Sequence, residues 1–275
     1  MKNMKWLSAA LSAGTFAVLY FYERRQPLRR QIERKEISTA RNLVIASAAG
    51  AASFLIENPV AEKLTKFVEN KRFGLLKVFR LPKIQETILA VVLLDYTLYL
   101  WHVLTHKVSF LWRFHRIHHA DLDLTASTAV RFHFGEITIS VLFRVGQILI
   151  IGVSPQNFQI WQTLLFISIF FHHSNVRLPK DFEEKLQKLI VTPRLHGIHH
   201  SIEETEMNSN WSSGLSFWDK LHKTFRSDVP QEQIKIGIKE FDKIEDVTLT
   251  KMFNEPFTTK NYGLRIEENN LPSNS

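Results

Sequence analysis

The residues with most chemistry to offer in this chain are its histidines, and their spacing is ordered. There are twelve, none before His102. Five lie between Asp95 and His119 (His102, His106, His115, His118 and His119), and three return as His196, His199 and His200. His102 and His106 stand at i and i+4, so a helix presents both on one face. His115, His118 and His119 are i, i+3 and i+4, and the later trio repeats that geometry. Neighbours such as His118 and His119 diverge by about 100° around a helix axis and can serve two adjacent ions, one each. A lone histidine on an apolar face is a satisfied core residue. Three ordered clusters are different, because eight imidazoles are expensive to bury without partners. Metal binding follows, and so many nitrogen ligands point to two ions. Imidazole suits iron, zinc, copper and nickel, so the ligands alone do not choose the metal.

Other residues read as support. Asp95, Tyr99, His102 and His106 form one polar stripe along an otherwise apolar helix. Asp121, Asp123 and Glu136 are candidates to accept the outer N–H of ligating imidazoles, with Arg131 holding the carboxylates. A solvated, charge-paired loop is the competing reading of that stretch. His133 is favoured as a structural hydrogen-bonding residue. Of His172 and His173 one is expected as a further ligand, with His173 preferred and His172 beside it. Asn175 and Asn210 are placed around the site, and Trp218 with Asp219 reads as packing plus a helix cap or as chemistry.

Apolar segments must position these side chains. Residues 6–22 form an uncharged run between Lys5 and Glu23-Arg24-Arg25, read as an uncleaved span rather than a signal peptide. Residues 42–56, rich in Ala, Gly and Ser, are a second candidate span or else a buried helix. In 57–83 lysines and arginines alternate with Leu, Phe and Val, which suggests an amphipathic helix at the headgroup level or an ordinary connecting helix. Residues 84–106 are the third span, and Asp95 inside it requires a partner or a polar cavity. The runs 137–153 and 156–171, joined by Ser154-Pro155, read as a hairpin that returns His133 and His172-His173 to one side. Segments 180–191 and 202–226 are expected to cover the site, and a frayed polar tail begins after about Arg265. The fold class is therefore all-α: a bundle of about three to five membrane helices under a helical cap.

Charge agrees with a membrane. The formal net charge is +8, and the basic residues flank apolar runs, which favours an anionic bilayer over nucleic acid. The seven Lys and Arg of 23–41 argue for a cytoplasmic loop and so for a cytoplasmic metal site, although 57–83 is equally basic. The chain has no cysteine, which excludes disulfides, thiolate zinc sites, iron–sulfur clusters and cysteine nucleophiles.

With these residues in place, the chain resembles the fatty acid hydroxylase / sterol desaturase superfamily of integral-membrane enzymes. His102-x3-His106, His115-x2-His118-His119 and His196-x2-His199-His200 match its three histidine boxes. RFH at 131–133 with Glu136, HHSNVRLP at 172–179, TPRLHGIHHS at 192–201 and LSFWDKLHKTF at 215–225 look like family segments. His222 stands where many relatives have an aromatic or aliphatic residue, without threatening the site. The resemblance covers roughly residues 85–226. It divides the chain into an N-terminal membrane part (1–83), a catalytic part (84–226, including the hairpin 137–171) and a polar extension (227–275). It implies a non-haem di-iron oxygenase that hydroxylates or desaturates a fatty acyl, sterol or related lipid, and zinc can take the place of iron in a purified or crystallised form. O2 is the oxidant, and electrons come from an external donor, a cytochrome b5-like protein or a ferredoxin with its reductase. Two other functions use the same histidines: a membrane metal transporter or metal-binding protein, and, more weakly, a zinc hydrolase, for which no His-Glu-x2-His array is present.

Overall fold

The computed structural model describes residues 2–258, and within them the chain is helical, with no strand and only isolated bridges between loops. The tail expected after Arg265 lies outside the described residues. The helices are α1 (Lys2–Arg25), α2 (Lys35–Ala52), α3 (Asn58–Lys71), α4 (Leu75–Val78), α5 (Lys83–Lys107), α6 (Ser109–His119), α7 (Phe134–Ile151), α8 (Pro155–His173), α9 (Lys180–Leu186), α10 (Pro193–His199), α11 (Glu204–Met207), α12 (Phe217–Leu221) and α13 (Leu249–Asn254).

Among the described residues three stretches are long and apolar enough to cross a membrane: Lys35–Val78, Lys83–Lys107 and Phe134–Ile151. The third expected span is thus α5, and the first arm of the hairpin is α7. The expected spans at 6–22 and 156–171 are the helices α1 and α8, which fall short of that composition. They pack on one another, and α1 leaves Trp6, Leu11 and Val18 exposed along its outer face. Ser154 caps α8 by accepting from Asn157 N, and Gly152 closes α7 at φ 82°, a left-handed conformation that favours glycine.

The segment 57–83 differs from expectation. Its first half is not a separate surface helix but the continuation of α2 through a π-turn at Ser53–Glu57 into α3. Asn58 N bonds five residues back to Ser53 O, and Pro59 follows at once. A proline frees the carbonyl four residues before it, and the wider π-turn absorbs that mismatch without breaking the rod. Ala61 and Val68 of α3 then join Ala90 and Leu94 of α5, Ile148 and Ile151 of α7 and Trp161 of α8 in one apolar core. A second core lies under the cap, where Ile45 of α2 and Ile117 of α6 meet Ile238, Phe241, Val247 and Met252 from beyond residue 227.

Candidate metal centre

Four helices bring the histidines to one place. α5 contributes His102 and His106 from its last turns, α6 contributes His115, His118 and His119, α8 ends on His172 and His173, α10 carries His196 and His199, and His200 follows as its cap. Three groups result, each with ligand atoms within 4.8 Å of one another: His102, His106, His115 and His119; His118, His173, His196 and His200; and His119, His199 and His200. His118 and His119, adjacent in sequence, fall into different groups. His173 joins the second group and His172 does not. Both ring nitrogens of His172 are buried without a hydrogen-bond partner.

Outer contacts fix the imidazoles. His102 Nδ1 stands 2.7 Å from Trp211 O, His199 Nδ1 2.8 Å from Ser209 O, and His173 Nδ1 2.8 Å from Ile169 O. A carbonyl oxygen only accepts, so each Nδ1 carries the hydrogen and each Nε2 of the neutral ring presents a bare lone pair. His115 Nδ1 donates in the same way to Glu136 Oε1 at 2.9 Å. Yet His102 Nε2 faces His199 Nε2 at 3.1 Å. Two lone pairs confronted at that distance repel unless a cation lies between them. His173 Nε2 is likewise 3.0 Å from His118 Nε2 and 2.9 Å from His196 Nε2, and His196 Nε2 is 3.1 Å from His200 Nε2. Ligands about 2.1 Å from one ion and at right angles to each other stand about 3 Å apart, so the donor set fits metal. His106 Nε2, His115 Nε2 and both nitrogens of His119 are also buried without partners.

Burial holds the rings neutral. It pushes the His118, His119, His196 and His200 imidazoles well below their ordinary value, an effect that neighbouring imidazoles reinforce. Burial likewise lowers His199 to about 3, against the opposing pull of Ser209 O. Neutral imidazole is the form that coordinates. Phe132 stacks on His118 at 4.5 Å and closes one flank.

Other expected supports lie elsewhere. Among the described residues neither Asp121 nor Asp123 is hydrogen-bonded to an imidazole. Asp121 Oδ2 accepts from Asn42 Nδ2 and Thr128 Oγ1, both at 2.7 Å. Asp123 accepts the backbone N–H groups of Ile32 and Glu33, and burial pushes its carboxyl up to about 6. Arg131 donates to Ile117 O and Asn42 Oδ1 instead of orienting a metal-facing carboxylate; burial lowers it to about 10, still charged at neutral pH. These residues pin the 120–131 loop to α2 and to the Ile32–Glu33 backbone just before it, polar partners that the loop's own sequence does not reveal. His133 caps α7 by accepting from Gly135 N. Asn210, at φ 52°, bonds to Leu195 O and to both main-chain groups of Arg226. Asp95 accepts from Trp218 Nε1 at 2.8 Å and Leu215 N at 3.0 Å, so the polar stripe of α5 is the seat of the 207–224 segment. Asp219 caps that segment through Trp211 N and Ser212 N.

The N-terminal part has a role at the site that the spacing of its residues does not signal. Glu23 Oε2 accepts from Asn175 N at 2.8 Å and Ala126 N at 3.2 Å. Asn175 and Arg29 exchange two further bonds, and Arg29 Nη1 reaches Pro193 O at the start of α10. The segment 23–29 thereby clasps the ends of two ligand-bearing elements.

Comparison with known proteins places the chain in a family. A model of the family "Fatty acid hydroxylase" matches residues 87–224, half of the 275. The chain belongs to this family. It is 28% identical over 240 residues to the ornithine lipid hydroxylase of Rhizobium tropici, covering 82% of this chain and 69% of that protein. It is 28% identical to the human alkylglycerol monooxygenase over 52% of this chain and 31% of the relative. It is 24% identical to the cholesterol 25-hydroxylase of Mus musculus over 52% of this chain and 48% of the relative. The chain thus spans less than half the length of the latter two. No solved structure matches it. At the level of its family the chain is an oxidoreductase acting on lipids, set in a membrane.

Proposed function

We propose that the chain is a di-iron oxygenase that hydroxylates or desaturates a lipid with O2 and electrons from an external protein donor. The observation that carries the metal reading is the confrontation of His102 Nε2 and His199 Nε2, both bare by tautomer, at 3.1 Å. His102, His106, His115 and His119, joined by His199 across from His102, would hold one ion; His118, His173, His196 and His200 would hold the other. When bound, iron supplies O2 activation and oxidation of an unactivated C–H bond. Hydroxylation takes two electrons and two protons per O2 and releases water, and the donor provides the electrons.

The chain's own residues do the rest. Trp211 O, Ser209 O, Ile169 O and Glu136 fix which imidazole nitrogen faces inward. A cavity of about 1240 Å³ runs from His102, His118 and His173 between α5, α7 and α8, past Leu98, Phe143 and Leu165. Its apolar walls and its depth in the helical bundle suit a lipid chain that reaches the metals from the bilayer. Burial around the histidines keeps bulk water from the reacting carbon.

The test is elemental analysis and O2 uptake of protein in lipid nanodiscs, loaded with Fe(II) or Zn(II), given reductant and an ether lipid, a sterol or an aminolipid. Two ions per chain, iron-dependent O2 uptake and an oxidised lipid are expected. His102→Ala and His199→Ala should each lose metal. Metal flux in proteoliposomes that His102→Ala abolishes, with no lipid oxidation, would replace this reading by transport.

A further inference from the structure

Two short helices at the edge of the cap each bury a carboxylate and leave apolar side chains exposed. In α9 the carboxylate of Glu183 is fully buried against Arg194, whereas Phe182 is 55% exposed. In α12 Asp219 is buried while Phe217 and Leu221, one turn apart, are 53% and 54% exposed. Leu189, just after α9, is 67% exposed. Single exposed apolar residues need no explanation, but these four belong to one tied unit. Val191 N donates to Gly214 O at 3.0 Å, Ser216 N to Leu189 O at 3.2 Å, Ser216 Oγ to Gln187 O at 2.7 Å and Lys220 Nζ to Lys188 O at 2.6 Å.

The unit is also fixed to a membrane helix. Trp218 Nε1 and Leu215 N both bind Asp95 of α5, so α12 lies against the flank of a candidate span, not above its end. Around the apolar side chains stand Lys180, Lys185, Lys188 and Lys220, all exposed; Asp181 and Glu184 are the exposed acids of the same stretch. Lys180 is 3.8 Å from Glu184. The balance is basic. Aromatic and leucine side chains projecting among lysines, next to a helix that enters lipid, is the composition that binds the headgroup layer of an anionic bilayer.

We propose that Phe182, Leu189, Phe217 and Leu221 form a ledge that dips into the anionic headgroup layer on the metal-bearing side, with the lysines at its rim. The ledge fixes the height and tilt of the cap over the bilayer. A docked protein partner is the rival occupant; the continuity with α5 and the lysine rim favour lipid.

The absence of cysteine makes the test direct. Phe217→Cys, Leu189→Cys and, as an aqueous reference, Lys239→Cys are labelled with a nitroxide in the full chain, reconstituted in nanodiscs with or without phosphatidylglycerol. Metal content verifies the fold of each. Labels at 217 and 189 should be relaxed by O2 and shielded from a water-soluble nickel chelate, the label at 239 the reverse, with deeper placement of 217 and 189 when phosphatidylglycerol is present. Chelate access at 217 and 189 equal to that at 239 would show that the ledge faces water and would overturn the proposal. Equal depth with and without anionic lipid would overturn its electrostatic part.

Discussion

Glu136 is the residue whose role at the centre is most local. It fixes His115 through one bond of 2.9 Å and stands at the first turn of α7. Glu136→Gln keeps the shape but removes the charge that orients the imidazole, and metal affinity should fall about 10- to 100-fold, read by competition with a coloured chelator. Asp95 answers to packing instead. It satisfies two buried donors, so Asp95→Ala should destabilise the attachment of 207–224 by about 3 kcal/mol, with Asp95→Asn milder because one acceptor remains. Limited proteolysis within 207–224 reads this; resistance equal to the parent chain in Asp95→Ala would remove the anchoring role. Gly214 lies in the same joint, where an added Cβ would collide with Asp95 Oδ1.

Elements from both ends of the chain converge on the ligand-bearing helices. Asn175 is the knot: its backbone N–H ties the end of α8 to Glu23 and its side chain exchanges two bonds with the Arg29 backbone, while the Arg29 guanidinium reaches the first residue of α10. Asn175→Ala should loosen α8 and α10 together, lowering metal content although no ligand has changed, and faster hydrogen exchange in 23–31 should accompany the loss. Metal retention with unchanged exchange would confine Asn175 to a local turn. The histidine spacing, the long apolar helix α5 and the two helices joined at Ser154-Pro155 were readable because helical periodicity and apolar runs are local signals. The partners of Asp121, Asp123 and Arg131 were not, because Asn42 of α2 and the Ile32–Glu33 backbone before it lie some 80 to 90 residues earlier, and a charge next to a histidine in sequence need not touch it in space. Nor could Trp211 O, Ser209 O and Ile169 O be found that way, since every residue has a carbonyl and only the fold selects these three. The continuation of α2 into α3 was hidden by composition: basic residues after an apolar run suggest a boundary, while the π-turn and Pro59 carry the helix through it.

For the whole molecule, the density of neutral imidazoles sets a response to acid. Burial holds His199 at about 3, below the value of about 6.5 it regains on unfolding. Above about pH 6.5 neither state binds this proton; below it the unfolded chain takes up a proton that the folded chain refuses. Stability is therefore complete above that value and lost as pH falls toward about 3. At pH 5 this one group withdraws about 2 kcal/mol. His118, His119, His196 and His200 act in the same direction. The unfolding midpoint of metal-free protein in detergent should drop steeply between pH 7 and pH 5. A midpoint that holds or rises would mean that these rings are not buried neutral.

The bond from Leu215 N to Asp95 joins residues 120 positions apart. That separation is also a delay. At about 5–20 residues per second, roughly 6–24 s pass between synthesis of Asp95 and of the segment that satisfies it. During that interval α5 has its full apolar length but an uncovered carboxylate, and release into lipid would strand a charge there. The helix therefore has reason to be held at the insertion machinery until the last histidine cluster and Trp218 have emerged, so that biogenesis of this enzyme is paced by its own C-terminal third.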